Sequence, residues 1–314
     1  MGLGTRARTR TGTGGGRHNG KSGARSPELG LDARPPRPYV ALVIVHLIDG
    51  TYELFRHFYG IRRWKKDGDP PLGAVAGVLN TVLEMIETGA THVGVATDHV
   101  IESFRNDLWP GYKTGQGIEP ALESQFHPLE AALAALGIAV WPMVELEADD
   151  GLAIAAHHAA RDPRVEKVCI WTPDKDLAQC VVGDRVVQVD RKTGAIRDAA
   201  AVREKFGVDP LHVPDYLALV GDSADGYPGI RGIGPTTAAA LIQRHGPIES
   251  FPATVLGDQR ERALLFKELA TLRVEPPLFD DVDALRWRGP GPDASGWVER
   301  IGDRRLAGRF DRMS

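Results

Sequence analysis

The sequence predicts an α/β fold built on a central, mostly parallel sheet. Between residues 39 and 198, apolar stretches of strand length alternate with stretches of helical periodicity, which is typical of a doubly wound sheet. Three of the four predicted parallel strands end in aspartate. Because ligands in this architecture bind beyond the carboxyl ends of the strands, we expect these acids to converge on one crevice.

The elements follow one another in a regular order. Strands are predicted at 39–49, 92–98, 138–144 and 167–176, followed by a hairpin or short strand pair at 186–198. Helices are predicted at 73–89, with Gly89 as the stop signal, at about 120–136 and at 147–161. Helices separated by turns are expected to fill 199–250.

Composition narrows the class of protein. The chain has 314 residues, enough for one large domain or two modest ones. It contains no apolar run of about 18 residues, so we expect no membrane span. The two cysteines, Cys169 and Cys180, form no CxxC pair and imply neither a disulfide framework nor a zinc site. A cytoplasmic location is therefore expected.

Charge is unevenly distributed along the chain. Residues 1–37 carry eight Lys and Arg against two acids, a net +6, which leaves −10 for the rest of a chain whose total is −4. This low-complexity stretch is predicted to be a disordered basic tail, which either adds weak phosphate affinity or has no functional role. An acidic body disfavours DNA unless metal cations neutralise the acids.

Nine carboxylates are candidates for a metal centre. Oxygen ligands without His or Cys select Mg²⁺ or Mn²⁺, and two such ions about 4 Å apart are used for phosphodiester hydrolysis. Individually, the acids of 145–155 are equally consistent with a helix cap, and those of 174–176 with a solvated loop. Calcium storage is disfavoured because the spacing of an EF-hand is lacking. The candidates are Asp49, Asp98, Glu147, Asp149, Asp150, Asp174, Asp176, Asp222 and Asp225.

Residues 228–242, PGIRGIGPTTAAALI, have the form of a helix–hairpin–helix. Gly232 and Gly234 permit a tight turn, after which backbone N–H groups and a helix N-terminus can meet a phosphate. The hydroxyls of Thr236 and Thr237 are placed to reach the same phosphate. The alternative is a plain αα-hairpin without a ligand.

The chain resembles the 5′ nucleases, the family of the 5′→3′ exonuclease domain of bacterial DNA polymerase I and of the flap endonucleases. The resemblance covers roughly residues 38–285. It is carried by LIDGTYELFRHFYG (47–60), PPLGAVAGVLNTVLEMI (70–86), ATDHVIESFRNDLWPGYK (96–113), ELEADDGLA (145–153), TPDKDLAQCV (172–181), VGDSADGYPGIRGIGPTTAAALI (220–242) and KELATLRVEPPL (267–278).

The resemblance implies a PIN-like, or resolvase-like, catalytic core at 38–198 with a helical arch at about 100–128. It implies a helix-hairpin-helix subdomain at 199–290, which leaves 291–314 as a C-terminal extension. All nine acids correspond to metal ligands of the family, and Arg105 and Lys113 to basic residues that contact the scissile phosphate. Three departures are Gln116, near the place of a second arch arginine, Pro173, at the place of a glycine before the aspartate pair, and Gly226, at the place of an asparagine. The implied DNA-binding residues are Gly229, Gly232, Ile233, Gly234, Thr236 and Thr237.

The expected function is that of a Mg²⁺-dependent, structure-selective 5′ nuclease, with two or more Mg²⁺ for which Mn²⁺ can substitute. The family implies K⁺ at the hairpin. The expected partner is branched or 5′-ended duplex DNA, and also RNA–DNA hybrid, in replication or repair. Because no polymerase or proofreading domain follows, we expect a free-standing, monomeric nuclease. The alternatives are a DNA-junction binding protein with weak or no catalysis, and an RNase on a related smaller fold, which the hairpin disfavours.

Overall fold

The computed structural model describes residues 42–62 and 70–313. The predicted basic tail at 1–37 and the first residues of the predicted strand 39–49 lie outside this part. No helix in the described ranges is long and apolar enough to cross a bilayer.

A six-stranded sheet confirms the predicted α/β architecture. Its order is β3-β2-β1-β4-β5-β6. The first five strands run parallel and β6 is antiparallel to β5, which confirms the predicted pair at 186–198. The strands are β1 Val43–Asp49, β2 His92–Asp98, β3 Ala139–Met143, β4 Val165–Trp171, β5 Val186–Val189 and β6 Ile196–Arg197.

Helices cover both faces of the sheet and form a second, helical layer. The core helices are α1 Gly50–Arg62, α2 Gly73–Glu87, α3 Phe104–Leu108, α4 Pro120–Glu123, α5 Phe126–Ala135 and α6 Ala148–Ala159. The helical layer contains α7 Ala199–Phe206, α8 Val213–Val220, α9 Pro235–His245, α10 Ala253–Leu256 and α11 Arg260–Ala270. The chain ends in α12 Ala294–Ile301 and α13 Arg304–Met313.

Three large hydrophobic clusters hold these layers together. One joins the sheet to α1, α2 and α5, and includes Ala294, Val298 and Leu306 from the C-terminal helices. A second joins the opposite face of the sheet to α6 and includes Leu272 and Leu285. The third is the core of the helical layer, α7 to α11. Residues 272–285 and 294–306 therefore pack on the sheet domain, while the domain limits predicted from the sequence stay a prediction.

The segment predicted as a helical arch, 100–128, is mostly not helical. Within it lie α3, of five residues, α4, of four, and only the start of α5. Pro110, Gly111, Gly115 and Gly117 fall between the short helices and account for the breaks, since proline removes a backbone donor and glycine carries an entropic cost in helices. The segment runs from the end of β2 to the start of α5 and is called the arch segment below.

Candidate metal centre and nucleic-acid interface

Asp49 and Asp98 lie at the ends of the adjacent strands β1 and β2, and each accepts a hydrogen bond from the start of a helix. The Asp49 carboxylate accepts hydrogen bonds from the backbone N–H of Tyr52 at 2.8 Å and from the Thr172 hydroxyl at 3.0 Å. Asp98 accepts from the N–H of Ala148 at 2.7 Å, at the start of α6. The carboxyl ends of β1 and β2 thus present fixed carboxylates beside the first turn of α6.

The acids of α6 divide into two groups. Asp149 is half-buried on the side of the strand-end acids. Burial and the neighbouring charges of Asp174 and Asp49 raise its pKa well above the usual value. Asp150 is fully buried and turns away to other partners. Asp149 and Asp150 are neighbours in the sequence, but only Asp149 lies among the strand-end acids.

Asp150 is saturated by donors from the protein. Its Oδ1 accepts from Arg105 Nη2 at 2.8 Å and from the Arg273 N–H at 2.8 Å. Its Oδ2 accepts from Arg105 Nη1 at 2.7 Å and from the Glu147 N–H at 3.0 Å. Since a carboxylate has about four acceptor sites, none is left for a metal. This geometry favours the cap that the sequence also allowed over the predicted role of Asp150 as a metal ligand.

Arg105 is equally saturated. It is 1% exposed, and its five N–H donors reach Glu147, both oxygens of Asp150, and the carbonyls of Leu269 and Thr271 at 2.7–3.3 Å. A guanidinium has five donors, so none remains for a phosphate. This geometry favours a structural role over the predicted contact with the scissile phosphate, because the side chain joins the arch segment and α6 to the end of α11.

Asp176, Asp222 and Asp225 form a compact trio of acids. One carboxylate oxygen from each lies within 4.8 Å of the others. Asp176 Oδ1 is buried and, within the described residues, lacks a hydrogen-bond partner. Burial, followed by Asp174, Asp225 and Asp222, raises the pKa of Asp176 well above the usual value. A buried oxygen without a donor among like charges fits a hard divalent cation.

The strand-end acids are electrostatically linked to this trio. Burial, with the charges of Asp98 and Asp174, raises the pKa of Asp49 to about 7. Burial also raises the pKa of Asp98, and Glu147 adds to the effect. Eight of the nine predicted acids, all except Asp150, therefore belong to one row that follows the carboxyl edge of β2, β1 and β4 and ends at Asp222 and Asp225.

Two lysines enter this row. Lys113 Nζ lies 2.8 Å from Glu147 and 3.2 Å from Asp225. Burial opposes its charge, but these two carboxylates raise its pKa well above normal. Burial alone would raise the pKa of Glu147, yet Lys113 and Arg105 keep it below its ordinary value. Lys175, which we did not predict, lies 2.6 Å from Asp222; its position between Asp174 and Asp176 in sequence was the available signal.

With Arg105 included, nine carboxylates meet three protein cations in contact with them. With all nine ionised, the excess of six negative charges exceeds what one divalent ion would neutralise, and the raised pKa values of Asp49, Asp149 and Asp176 reflect this repulsion. The donor set contains only oxygen, so the residues present fit hard divalent cations of the Mg²⁺ type.

The arch segment is fixed against the loop that carries Asp225. The Lys113 N–H donates to the Asp225 carbonyl at 3.0 Å, and Trp109 Nε1 donates to the Gly226 carbonyl at 3.0 Å. Gly226 has φ +84°, and a Cβ there would lie 2.0 Å from the Gly111 carbonyl oxygen. Only glycine fits this contact, which explains why this chain departs from asparagine at position 226.

The predicted hairpin joins α8 to α9 and presents an open surface. Gly232 has φ +85°, and a Cβ at Gly232 or Gly234 would meet no atom within 4 Å. Thr236 and Thr237 are exposed in the first turn of α9. Ile233 is half-buried against the core of the helical layer and anchors the turn. Gly229 is instead buried. A Cβ at this position would lie 2.4 Å from the Gly221 nitrogen, so the glycine allows close backbone packing.

Family comparisons match nearly the whole described chain. The description "5'-3' exonuclease, N-terminal resolvase-like domain" matches residues 44–207, and "5'-3' exonuclease, C-terminal SAM fold" matches 208–293. The chain is 34% identical over 260 residues to DNA polymerase I of Pseudomonas aeruginosa, covering 76% of this chain and 28% of that protein. It is 30% identical over 242 residues to a 5'-3' exonuclease of Aquifex aeolicus, covering 76% and 83%. The chain therefore spans under a third of its DNA polymerase I relatives.

Solved structures share the fold. The T5 D15 protein co-crystallised with metal ions matches with a TM-score of 0.58 and 17% identity, over 86% of this chain and 98% of that one. The catalytic core of Rad2 in complex with DNA substrate matches with a TM-score of 0.56 and 13% identity, over 87% and 92%. With both family domains matched in order and an exonuclease relative covered over most of its length, this chain belongs to the 5′-3′ exonuclease family of nucleases.

Proposed function

We propose that this protein is a Mg²⁺-dependent 5′ nuclease that cuts 5′ flaps and degrades 5′ ends of duplex DNA. The observation that carries the proposal is the row of eight linked carboxylates at the carboxyl edge of the sheet, with the trio Asp176, Asp222 and Asp225 at one end. The structural neighbours support the same proposal: the T5 D15 protein was co-crystallised with metal ions, and the catalytic core of Rad2 was solved in complex with DNA substrate.

The proposed metal ligands are the eight carboxylates of the row. Mn²⁺ is proposed to be able to replace Mg²⁺. Asp176, Asp222 and Asp225 would hold one ion, and Asp49, Asp98, Asp149 and Asp174 would hold a second, with Glu147 beside it. When bound, such ions supply a nucleophile at neutral pH and stabilise the charge on the attacking and leaving oxygens.

The chain's own side chains position the substrate. Lys113 is 34% exposed at its side chain and has a third N–H that can reach a phosphate oxygen. Lys175, equally exposed and paired with Asp222, borders the same surface. Gly232, Gly234, Thr236 and Thr237 bind the duplex backbone with free N–H groups and hydroxyls, and K⁺ is proposed to bridge this turn to a phosphate. The hairpin thus grips the duplex away from the cut.

RNA–DNA hybrid as a second substrate, a monomeric state, a cytoplasmic location and work in replication or repair belong to the same proposal. A test uses 5′-labelled flaps with DNA or RNA arms, and a recessed 5′-ended duplex, in Mg²⁺. The proposal predicts products released from the flap near the junction and short products from the duplex. Intact substrates after stoichiometric incubation would refute it.

The alternative of a junction-binding protein is favoured by two observations. Of the two cations predicted for the scissile phosphate, Arg105 has no donor free, and position 116 holds glutamine. Tight flap binding without cutting in Mg²⁺ or Mn²⁺ would favour this alternative.

Divalent cations should stabilise the protein. Mutual repulsion among the row is relieved when an ion binds the native state, and a ligand at about 100 times its Kd adds roughly 2.7 kcal/mol to the unfolding free energy. We expect Mg²⁺ or Mn²⁺ to raise the Tm, and EDTA to reverse the shift. The variant Asp176→Asn should show a smaller shift than Asp184→Asn, an exposed control. Equal shifts in both variants would contradict the assignment.

Gly234→Val should weaken duplex binding and leave the fold intact. Gly234 has φ −95°, which valine tolerates, and its side chain would enter open space where the phosphate is proposed to bind. We expect duplex binding to weaken at least about tenfold, since losing a hydrogen bond to a charged group costs about 1.5–3 kcal/mol, and we expect an unchanged Tm. The control Ala240→Val places the same side chain at an exposed position of α9. Equal affinity of the two variants would refute the hairpin's role.

A further inference from the structure

Two histidine rings, one at each end of the arch segment, are stacked on each other. His99 directly follows Asp98, and His127 lies in the first turn of α5. Their ring centroids are 4.3 Å apart and the planes differ by 7°. The arch segment therefore begins and ends at one stacked pair.

Buried groups hold this pair in place. His99 Nδ1 lies 2.8 Å from Oε2 of Glu130, which is 8% exposed. The Thr97 hydroxyl donates to the other Glu130 oxygen at 2.9 Å, and His127 Nε2 lies 3.3 Å from the His99 carbonyl oxygen. The rings are thus oriented before any ligand binds.

The pair is nevertheless open to solvent. The His99 side chain is 36% exposed, His127 is exposed, and Val100 beside them is 42% exposed. We call His99, Val100 and His127 the ring patch. A flat, fixed and partly apolar surface of this kind suits the face of a nucleobase, which stacks on aromatic side chains regardless of its sequence.

The charge of the arch segment disfavours binding to phosphates. Residues 99–127 contain two cations, of which Arg105 is saturated and Lys113 lies in the acid row. Against them stand four acids, Glu102, Asp107, Glu119 and Glu123. Nucleic acid passing this segment would gain affinity from its bases rather than its backbone.

The position of the ring patch indicates which part of a substrate it meets. The acid row runs from Asp98 on β2, past Asp49 on β1, to the loop after β4 and then to Asp225. The hairpin follows Asp225 in the chain, and His99 adjoins Asp98, so the hairpin and the ring patch border the row at different acids. A strand that is cut at the acids, with its duplex held at the hairpin, can therefore leave past the end of β2.

We infer that the ring patch binds a nucleobase of the single-stranded 5′ arm by stacking on His127. This inference rests on the proposed function and names a subsite for the arm, distinct from the hairpin that holds the duplex. It predicts that arm affinity depends on the bases and on a flat ring at position 127.

The test uses the full chain carrying Asp149→Ala, to prevent cutting, and measures Kd by anisotropy in Mg²⁺. Three DNAs are compared: a flap with a normal arm, a flap whose arm is abasic, and a nicked duplex without an arm. Adding His127→Ala should weaken binding of the normal flap about five- to tenfold, the lower part of the range for loss of one stacked base. Binding of the abasic flap and of the nicked duplex should be unchanged.

His127→Phe should retain the preference for the normal arm, because a flat ring is kept, and Ser124→Ala, an exposed neighbour, should behave like the parent. An unchanged preference in His127→Ala would overturn the inference while leaving the proposed function intact. Failure of the parent to bind even the nicked duplex would overturn the proposed function itself, and the arm subsite with it.

Discussion

Replacing Asp149 with asparagine should abolish cleavage and preserve DNA binding. Asp149 lies in the middle of the acid row, where burial, Asp174 and Asp49 raise its pKa, and its carboxylate makes no hydrogen bond to the described residues that the fold would lose. Removing its charge weakens metal binding where charge develops in the transition state, an effect of several kcal/mol. We expect kcat to fall about 10³-fold or more, since each 1.36 kcal/mol is tenfold.

The measurement is single-turnover cleavage of a labelled flap, with Kd determined on the same DNA. Asp184→Asn, an exposed aspartate in the turn before β5, removes the same charge away from the row and should cleave at the parental rate. If Asp149→Asn retained cleavage within tenfold of the parent, the assignment of the metal centre would be wrong.

Replacing Arg105 with methionine should destabilise the protein severely. The change leaves Asp150 buried without its cation, removes one of the two cations beside Glu147, and takes donors from the carbonyls of Leu269 and Thr271. Breaking a buried ion pair from one side typically costs about 3–5 kcal/mol. We expect a loss of this size in the unfolding free energy, measured by denaturant titration.

The exposed pair of Arg203 and Asp209 provides the matched control. Its members are 54% and 62% exposed at their side chains, so Arg203→Met should change the unfolding free energy by no more than about 1 kcal/mol. Similar losses in the two variants would show that the Arg105 contacts are not structural.

Asp150→Asn separates a structural role from metal binding. The account predicts lower stability with an unchanged midpoint in a Mn²⁺ titration followed by Tm, because its four acceptor sites are occupied by protein donors. A weaker Mn²⁺ midpoint with native stability would restore Asp150 to the set of ligands.

The sheet and the acid row were predictable because they depend on local patterns. Apolar runs with aspartate at their ends give β1 and β2, and parallel strands bring those ends to one edge. Asp222 and Asp225 were among the candidate acids before the resemblance to the 5′ nucleases matched them to metal ligands, but their place beside Asp176 depends on the packing of α8 against the sheet domain. The hairpin was predictable from Gly232, Gly234 and the threonines that follow.

The different fates of Asp149 and Asp150 could not be predicted from their sequence. They are neighbours of one type, and only the direction of each side chain from α6 separates them. The saturation of Arg105 depends on carbonyls more than 160 residues away, which no local pattern reports. The resemblance matched Arg105 to a basic residue of the family that contacts the scissile phosphate, but in this structure α3 lies against α11 and the side chain is buried there.

The most direct test follows the fate of a 5′-labelled flap with the purified chain in Mg²⁺, in EDTA, and in EDTA followed by excess Mg²⁺, with binding measured in parallel. The account predicts cutting near the junction in Mg²⁺, none in EDTA, and recovery when Mg²⁺ is restored. Cutting that persists in EDTA would contradict the metal centre. Tight binding without cutting in either Mg²⁺ or Mn²⁺ would contradict the nuclease and leave a junction-binding protein.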